Sequence, residues 1–287
     1  MAEERRQDKS KSQYRDNLIR KLFRDEERAI ELCNAITGSS YSVNTNITLC
    51  DLDNSLTKRF NDLAFAIDDQ LLLMIEHQSV ISPNMPLRLL SYVTEVLYTW
   101  FVQVKELYKK KLHQIPNPKL YVLYNGDEPL KLNQLKLSDA FYIQGEEASL
   151  ELTVEIIDVN YQSGHEVLQR SESLQGYAYL IDQIRAHMKA GYSRDEAIGI
   201  SIELCIMEGV LSEFLKIHYE EVAKMLNFQY DQEVEYQAIR EEEREEGYEA
   251  GASEKAIEMA GNSLKAGLST ELVAELTGLS LEKVTSL

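Results

Sequence analysis

Two short apolar runs on either side of a polar turn constrain the fold of this chain more than any other feature. Leu63–Ile67 and Leu71–Ile75 each have the length of a strand, and the turn-forming residues Asp68, Asp69 and Gln70 separate them. This pattern predicts a β-hairpin. Because both runs are apolar at every position, we expect helices to cover both faces of the sheet that contains them.

Weaker patterns predict further elements before and after the hairpin. Asp16–Thr37 and Leu87–Leu107 carry apolar residues at helical spacing, and each predicts one amphipathic or buried helix. Three segments rich in β-branched and aromatic residues predict the remaining strands: Tyr41–Asp53, Lys119–Asn125 and Ser149–Tyr161. This order predicts an α/β fold in which helices flank a mixed sheet.

Beyond about residue 165 the sequence predicts helices only. Leu174–Leu226 has apolar residues at helical spacing, and Asp231–Lys255 carries about seven net negative charges by counting, as a solvated helix would. The final stretch resembles a helix-turn-helix with its turn at Gly278–Ser280, but its second helix offers only Lys283 as a base. A small packing or dimerisation module explains it at least as well. We therefore expect an α/β domain over residues 10–165, a helical subdomain over 166–230, an acidic helical linker over 231–255, and a helix-turn-helix-like element over 256–287.

The charge of the chain restricts where a nucleic acid would bind. The formal net charge is −18, and phosphate binding needs clustered lysine and arginine, so the acidic C-terminal third is excluded as a DNA-binding surface. The first 24 residues, by contrast, carry a net charge of about +4 by counting. The net charge therefore counts against DNA binding by the C-terminal third and not by the rest of the chain.

Sequence features also bear on cellular location. The first residues are polar, and no run of about 18 apolar residues occurs, so neither secretion nor membrane spanning is expected. Cys33, Cys50 and Cys205 are too few and too far apart for a disulfide framework or a Cys-x-x-Cys zinc site. We expect a cytoplasmic protein without an organic cofactor.

Three polar residues at the open end of the hairpin are candidates for chemistry. Glu76 and Gln78 lie two apart on the second strand and so share a face, whereas His77 points to the other face, where a structural role is expected. Asp62 begins the first strand. If paired residue numbers sum to 138, Asp62 lies opposite Glu76, and the two carboxylates are positioned to hold a divalent cation. This register requires a three- or five-residue loop or a bulge, because a two-residue turn at Asp68-Asp69 would pair Asp62 with Ile75.

The order of these motifs resembles the PD-(D/E)XK nuclease superfamily, and more closely its recombination-promoting nuclease and transposase-like family. The resemblance rests first on NDLAFAIDDQLLLMIEHQS followed by NMPLRLLSYV. It continues in DNLIRKLF, KLYVLYNG, AIGISIELCIMEGVLSEFL and EEEREEGYEAG, and so extends over nearly the whole chain. It implies a restriction-endonuclease-like core over residues 10–165.

The resemblance also implies roles for individual residues. Asp62 and Glu76 would bind Mg²⁺ or Mn²⁺, and Gln78 would stand where the superfamily generally has lysine. A lysine can stabilise developing negative charge, whereas Gln78 can only orient a water or a phosphate oxygen by hydrogen bonds. Asp16 and Arg20 match an auxiliary acid and a phosphate-contacting base of the family's first helix.

Other basic and aromatic residues are weaker candidates for DNA contact. Lys58 and Arg59 immediately precede Asp62 and are the better pair, whereas the triple lysine at 109–111 is more typical of a solvated helix end. Tyr92, Tyr98 and Tyr108 would suit base stacking, but their spacing within an apolar helix favours packing in the core.

These observations predict a Mg²⁺-dependent DNA endonuclease in which Asp62, Glu76 and Gln78 are catalytic. The resemblance implies a role in recombination, mobile elements or defence against foreign DNA. DNA is the expected partner, and a homodimer is a candidate assembly. The alternative is a weakly active or inactive protein that keeps the nuclease fold and serves as an interaction module, which the glutamine at position 78 and the acidic surface would favour.

Overall fold

A computed structural model describes residues 17–50, 62–143, 145 and 147–287, apart from the side chains of residues 232, 233 and 235–254. The chain divides into two compact units, Met1–Tyr230 and Asp231–Leu287. None of the helices in the part of the chain that the structure describes is long and apolar enough to cross a membrane.

The first unit is built on a six-stranded mixed sheet. Its strands, in chain order, are β1 (Ile47–Leu49), β2 (Leu63–Ile67), β3 (Leu71–Gln78), β4 (Asn117–Tyr124), β5 (Gln134–Lys136) and β6 (Thr153–Asp158). They are arranged across the sheet as β1-β2-β3-β4-β6-β5. The pairings β3–β4 and β4–β6 are parallel, and the other three are antiparallel. The predicted mixed sheet with a central hairpin is confirmed, and the short edge strand β5, which has one apolar residue, was not predicted.

Helices surround this sheet and continue to the end of the unit. They are α1 (Leu18–Leu22), α2 (Glu26–Thr37), α3 (Met85–Val96), α4 (Glu166–Arg170), α5 (Glu172–Lys189), α6 (Arg194–Glu208) and α7 (Ser212–Lys265), the last with a non-helical residue at His218. The helical character predicted beyond residue 165 is confirmed.

Two predicted helices are wrong in their extent. Asp16–Thr37 was expected to be one helix, but α1 ends at Leu22, and the Asp25 carboxylate accepts a hydrogen bond from Arg28 N to cap α2. Leu87–Leu107 was also expected to be one helix. Instead, α3 ends at Val96 and continues as a π-turn (Leu97–Phe101) and a 3₁₀ turn (Val104–Tyr108). Aromatic and β-branched residues are poor helix formers and are concentrated at this second break.

Both faces of the hairpin are buried, as its all-apolar runs predict. On one face Phe65 and Ile75 pack into the larger core with residues of α1, α2, α5 and α6. On the other face Ala64 and Met74 pack against Leu89 of α3. Burial on both sides fixes the register, because a slip of one residue would exchange the two faces.

The second unit contains the end of α7, α8 (Thr270–Thr277) and α9 (Leu281–Thr285), with a small core of Ala260, Val273 and Val284. Ser269 and Ser280 cap the N-termini of the two short helices, and Gly278 ends α8 in the left-handed conformation at φ 70°. The predicted turn at Gly278–Ser280 therefore lies between two helices.

Candidate metal centre

The β2–β3 turn sets which residues face each other at the open end of the hairpin. Ile67 pairs with Leu71, which leaves a three-residue loop, and Leu63 pairs with Ile75. The residue numbers in each of these pairs sum to 138. Asp62, which is the next residue outward on its strand, therefore faces Glu76. Asp68 and Asp69 adopt positive φ values of 49° and 54° in the loop, a conformation that aspartate tolerates better than most residues. The three-residue alternative is confirmed, and the two-residue turn is excluded.

Direct hydrogen bonds connect Asp62 to the facing strand. The backbone N–H of Asp62 donates to Glu76 Oε1 at 3.1 Å, and the backbone N–H of His77 donates to Asp62 Oδ2 at 2.7 Å. Asp62 is half-buried and Glu76 is only 3% exposed. The two carboxylates are therefore held together at the edge of the core, where solvent screens their charges poorly.

Two side chains from helices complete the surroundings of this pair. Asn17, the N-cap of α1, accepts from Arg20 N and donates through Nδ2 to Asp62 Oδ1 at 2.8 Å. Arg88 of α3 donates through Nη2 to Glu76 Oε2 at 3.2 Å. Each of the four carboxylate oxygens thus accepts a hydrogen bond from the protein. Because a carboxylate oxygen has two lone pairs, these bonds leave room for another ligand on the same oxygens.

Burial dominates the electrostatics of the pair. Desolvation and then the negative charge of Asp62 raise the pKa of Glu76 from 4.5 to about 8, against the opposing charge of Arg88. Desolvation also raises the pKa of Asp62, although the His77 hydrogen bond and the charges of Arg20 and Arg88 lower it. Two carboxylates that resist being charged together are stabilised in their charged form by a cation between them.

Gln78 lies on β3 two residues beyond Glu76 and is half-buried. Its Oε1 accepts a hydrogen bond of 3.1 Å from Ser82 N, in the turn that precedes α3. The side chain is therefore oriented by the loop after its own strand. This contact leaves the amide nitrogen, Nε2, as the donor that Gln78 would offer to a phosphate oxygen or water.

His77 points away from the carboxylates, as the strand alternation predicts. Its Nε2 lies 2.9 Å from the hydroxyl of Tyr177, and the two rings meet edge to face. Tyr177 belongs to α5 and is completely buried. Burial and then the charge of Arg185 lower the pKa of His77 to about 4, so the ring is neutral at pH 7. His77 therefore anchors the end of β3, and its backbone N–H positions Asp62.

Of the remaining predicted site residues, one lies within the described part of the chain and three lie outside it. Arg20 is 7% exposed on α1, and its charge acts on Asp62. Asp16, Lys58 and Arg59 lie outside the described residues. Arg88 was missed as a site residue, although it is the first base after β3 and lies in the first turn of the helix that follows.

The donor chemistry at this centre suits a hard divalent cation. Asp62 and Glu76 offer carboxylate oxygens, which are the ligands that Mg²⁺ and Mn²⁺ prefer. Within the ranges that the structure describes, no group of three or more His, Cys, Asp or Glu side chains is placed to hold a metal ion. Asp62 and Glu76 would supply two carboxylate ligands, and water or substrate oxygens would supply further ligands.

One curated protein is similar to this chain over most of its length. It is the protein of Escherichia coli (strain K12) named inactive recombination-promoting nuclease-like protein RpnE, which is 23% identical over 247 residues, covering 80% of this chain and 80% of that protein. No protein-family model matches the chain, and no solved structure matches it significantly. The chain is thus a distant relative of a nuclease-like protein.

Proposed function

We propose that this protein is a metal-dependent DNA endonuclease whose centre is formed by Asp62, Glu76 and Gln78. The observation that carries the proposal is that the half-buried carboxylate of Asp62 faces the buried carboxylate of Glu76 across the hairpin, with Asp62 N donating to Glu76 Oε1 at 3.1 Å. Burying two acids together without a cation is unfavourable, as the raised pKa of Glu76 indicates. The distant similarity to a nuclease-like protein supports the same class of activity.

Asp62 and Glu76 would hold Mg²⁺ or Mn²⁺. When bound, the cation would polarise the phosphoryl group and lower the pKa of the attacking water. Asn17 and the His77 backbone N–H fix the Asp62 carboxylate, so the centre is preorganised by α1 and β3. Gln78 would orient a water or phosphate oxygen through its amide group.

Arg88 supplies the positive charge that Gln78 cannot. Its side chain is 44% exposed although it contacts the buried Glu76, so the guanidinium reaches from the carboxylate to solvent. An arginine in this position can form bidentate hydrogen bonds with a phosphate. We therefore assign Arg88 to phosphate binding beside the carboxylates.

A second candidate function is that of an inactive nuclease-fold protein that binds partners. The contact between Arg88 and Glu76 favours it, because an internal cation already lies beside one of the two acids. The word "inactive" in the name of the Escherichia coli relative agrees with this alternative. In this alternative, the acidic C-terminal region would supply the contacts with other proteins.

Cleavage of supercoiled plasmid separates the two functions. The wild type, Asp62→Asn and Glu76→Gln would be incubated with plasmid in Mg²⁺, in Mn²⁺ and in EDTA. The nuclease proposal expects metal-dependent nicking in the wild type and a loss of at least about a hundredfold in both variants, as for removal of a catalytic group.

A matched control comes from the other end of the same hairpin. Asp69 is an exposed loop residue with positive φ, and Asp69→Asn makes the same chemical change about 20 Å from Asp62 at strand spacing. This variant should cleave like the wild type. If Asp62→Asn nicks the plasmid as fast as the wild type does, the nicking comes from a contaminating nuclease, and the inactive protein is favoured.

A further inference from the structure

The segment that follows α3 is exposed, aromatic and basic. Tyr98, Trp100 and Tyr108 have exposed fractions of 51%, 45% and 84%. Lys105, Lys109, Lys110 and Lys111 are also exposed. We call residues 98–115 the basic-aromatic segment. The sequence pattern favoured core packing for Tyr98 and Tyr108, and that expectation is wrong, whereas Tyr92 is buried as predicted.

The segment is folded against the protein. Leu97 and Phe101 pack on the core beneath α3, so the π-turn between them directs Tyr98 and Trp100 outward. His113 donates through Nε2 to the carbonyl oxygen of Phe101 at 3.0 Å, which joins two points twelve residues apart. Aromatic side chains held out of the core on an anchored loop lose little entropy when they bind a ligand.

The segment carries a net positive charge within an acidic chain. Between residues 103 and 113 there are four lysines and one glutamate, a net charge of +3 in a chain whose net charge is −18. Lys109 pairs with Glu106 at 2.7 Å. Lys110 and Lys111 form no ion pair with any side chain that the structure describes. A polyanion is the ligand that this local charge complements.

We propose that the basic-aromatic segment binds single-stranded nucleic acid, with Tyr98, Trp100 and Tyr108 stacking on bases and Lys110 and Lys111 contacting phosphates. Exposed aromatic rings beside exposed lysines form the combination that single strands bind, because bases offer their faces only when they are unstacked. The phosphates of a duplex would contact the lysines, but its stacked bases would leave the aromatic rings exposed to solvent. Exposed aliphatic residues in the segment, such as Leu112, would suit a protein instead, but they do not account for the lysine cluster.

The position of the segment relates it to the candidate metal centre. Arg88, which contacts Glu76, and Trp100 are twelve residues apart along α3 and its π-turn, or about 18 Å at the rise of a helix. A strand bound at Trp100 would reach the carboxylates within a few nucleotides. If single strands are also cleaved, that step rests on the proposed nuclease function. The binding of single strands does not rest on it.

Binding is measured without metal, so that cleavage plays no part. The full chain in EDTA is titrated with fluorescein-labelled oligo-dT of 20 nucleotides, and with the corresponding dA–dT duplex, by fluorescence anisotropy. Because Trp100 is the only tryptophan in the sequence, its fluorescence excited at 295 nm reports on the segment directly. We expect quenching of Trp100 by the single strand and weaker binding of the duplex.

Variants assign the roles of individual side chains. Tyr108→Ala should weaken single-strand binding about tenfold, the effect of removing one stacking platform. Lys110→Gln with Lys111→Gln should weaken it and reduce the salt slope by about 0.7 for each phosphate that is no longer neutralised. Tyr142→Ala, and Lys131→Gln with Lys136→Gln, are the controls, because these residues are exposed elsewhere in the first unit, and they should bind like the wild type.

Three results would overturn the proposal. These are a lack of single-strand binding, duplex binding as tight as single-strand binding, and equal affinity in the Tyr108→Ala and control variants. A dimer seen by sedimentation and abolished in Tyr108→Ala, without oligonucleotide binding, would make the segment a protein interface. Binding is measured in EDTA and cleavage in metal, so the two failures are distinguishable. A wild type that binds the oligonucleotide but does not nick plasmid would contradict only the nuclease function, and one that nicks plasmid but does not bind would contradict only this proposal.

Discussion

The Asp62 backbone N–H donates to the Glu76 carboxylate at 3.1 Å, and this contact joins the two ends of the β2–β3 hairpin at its open side. The backbone N–H next to Glu76, that of His77, returns a hydrogen bond of 2.7 Å to the Asp62 carboxylate. The two acids are therefore oriented by each other's backbone. Their separation and direction depend on the hairpin register and on how the end of β3 is anchored.

The raised pKa of Glu76 predicts an unusual dependence of stability on pH. The folded state holds a proton on Glu76 up to about pH 8, whereas the unfolded chain releases it near 4.5. Between these values the folded state binds more protons, so the free energy of unfolding should fall as pH rises from 4.5 to 8. Urea denaturation of the metal-free protein at several pH values measures this slope.

Glu76→Gln should flatten that slope and should be more stable than the wild type at pH 8, since it buries no charge. Glu155→Gln, which changes an exposed strand glutamate, should leave the slope intact. A wild-type stability that rises from pH 5 to pH 8 in parallel with that of Glu76→Gln would contradict the raised pKa.

Arg88 is expected to keep the pKa of Glu76 from rising further. Its charge opposes burial and the charge of Asp62, so Arg88→Gln should move the Glu76 titration above pH 8. Arg88→Lys keeps the charge and should titrate closer to the wild type. Carbon-13 NMR of the labelled glutamate carboxyl follows the titration directly, and an unchanged midpoint in Arg88→Gln would show that the ion pair does not form.

The hydrogen bond between Tyr177 and His77 should stabilise the end of β3. Tyr177→Phe leaves the buried His77 nitrogen without this partner and should lower the free energy of unfolding by about 1–3 kcal/mol. Tyr179→Phe, on the same helix, removes a hydroxyl that contacts the exposed Glu208, and should cost less than about 1 kcal/mol. Equal losses in the two variants, measured by denaturant titration, would remove His77 from its anchoring role.

The hairpin and its burial on both faces could be predicted from the sequence, because uninterrupted apolar runs around a polar turn are typical of a buried hairpin. The facing of Asp62 and Glu76 could be given only as one of the possible registers, because the sequence does not fix the length of the loop. Arg88 and Asn17 could not be predicted as neighbours of the pair. Those contacts depend on how α3 and α1 pack on the sheet, which no local pattern encodes. The break after Val96 was missed for a related reason, since the aromatic residues Tyr98 and Trp100 beyond it are exposed although the sequence pattern favours their burial.

A substitution at Gln78 tests whether the rate of DNA cleavage can be increased. Gln78→Lys introduces the ammonium group that is general in the superfamily that the motif order resembles, and on the proposed function it should raise the cleavage rate about tenfold through charge stabilisation. Gln78→Met, which has similar length and no charge, should not raise it. If cleavage in single-turnover assays is slower in Gln78→Lys than in the wild type, glutamine has a specific role that lysine cannot replace.

Binding of Mn²⁺ to the metal-free protein, measured by calorimetry at pH 8.5, tests most directly whether the facing carboxylates form a metal centre. At this pH Glu76 is largely deprotonated, so proton competition is small. We expect saturable binding in the wild type and in the hairpin-turn variant Asp69→Asn, and its loss in both Asp62→Asn and Glu76→Gln. Absence of saturable binding in the wild type, or equal binding in all four proteins, would contradict a metal centre at this pair.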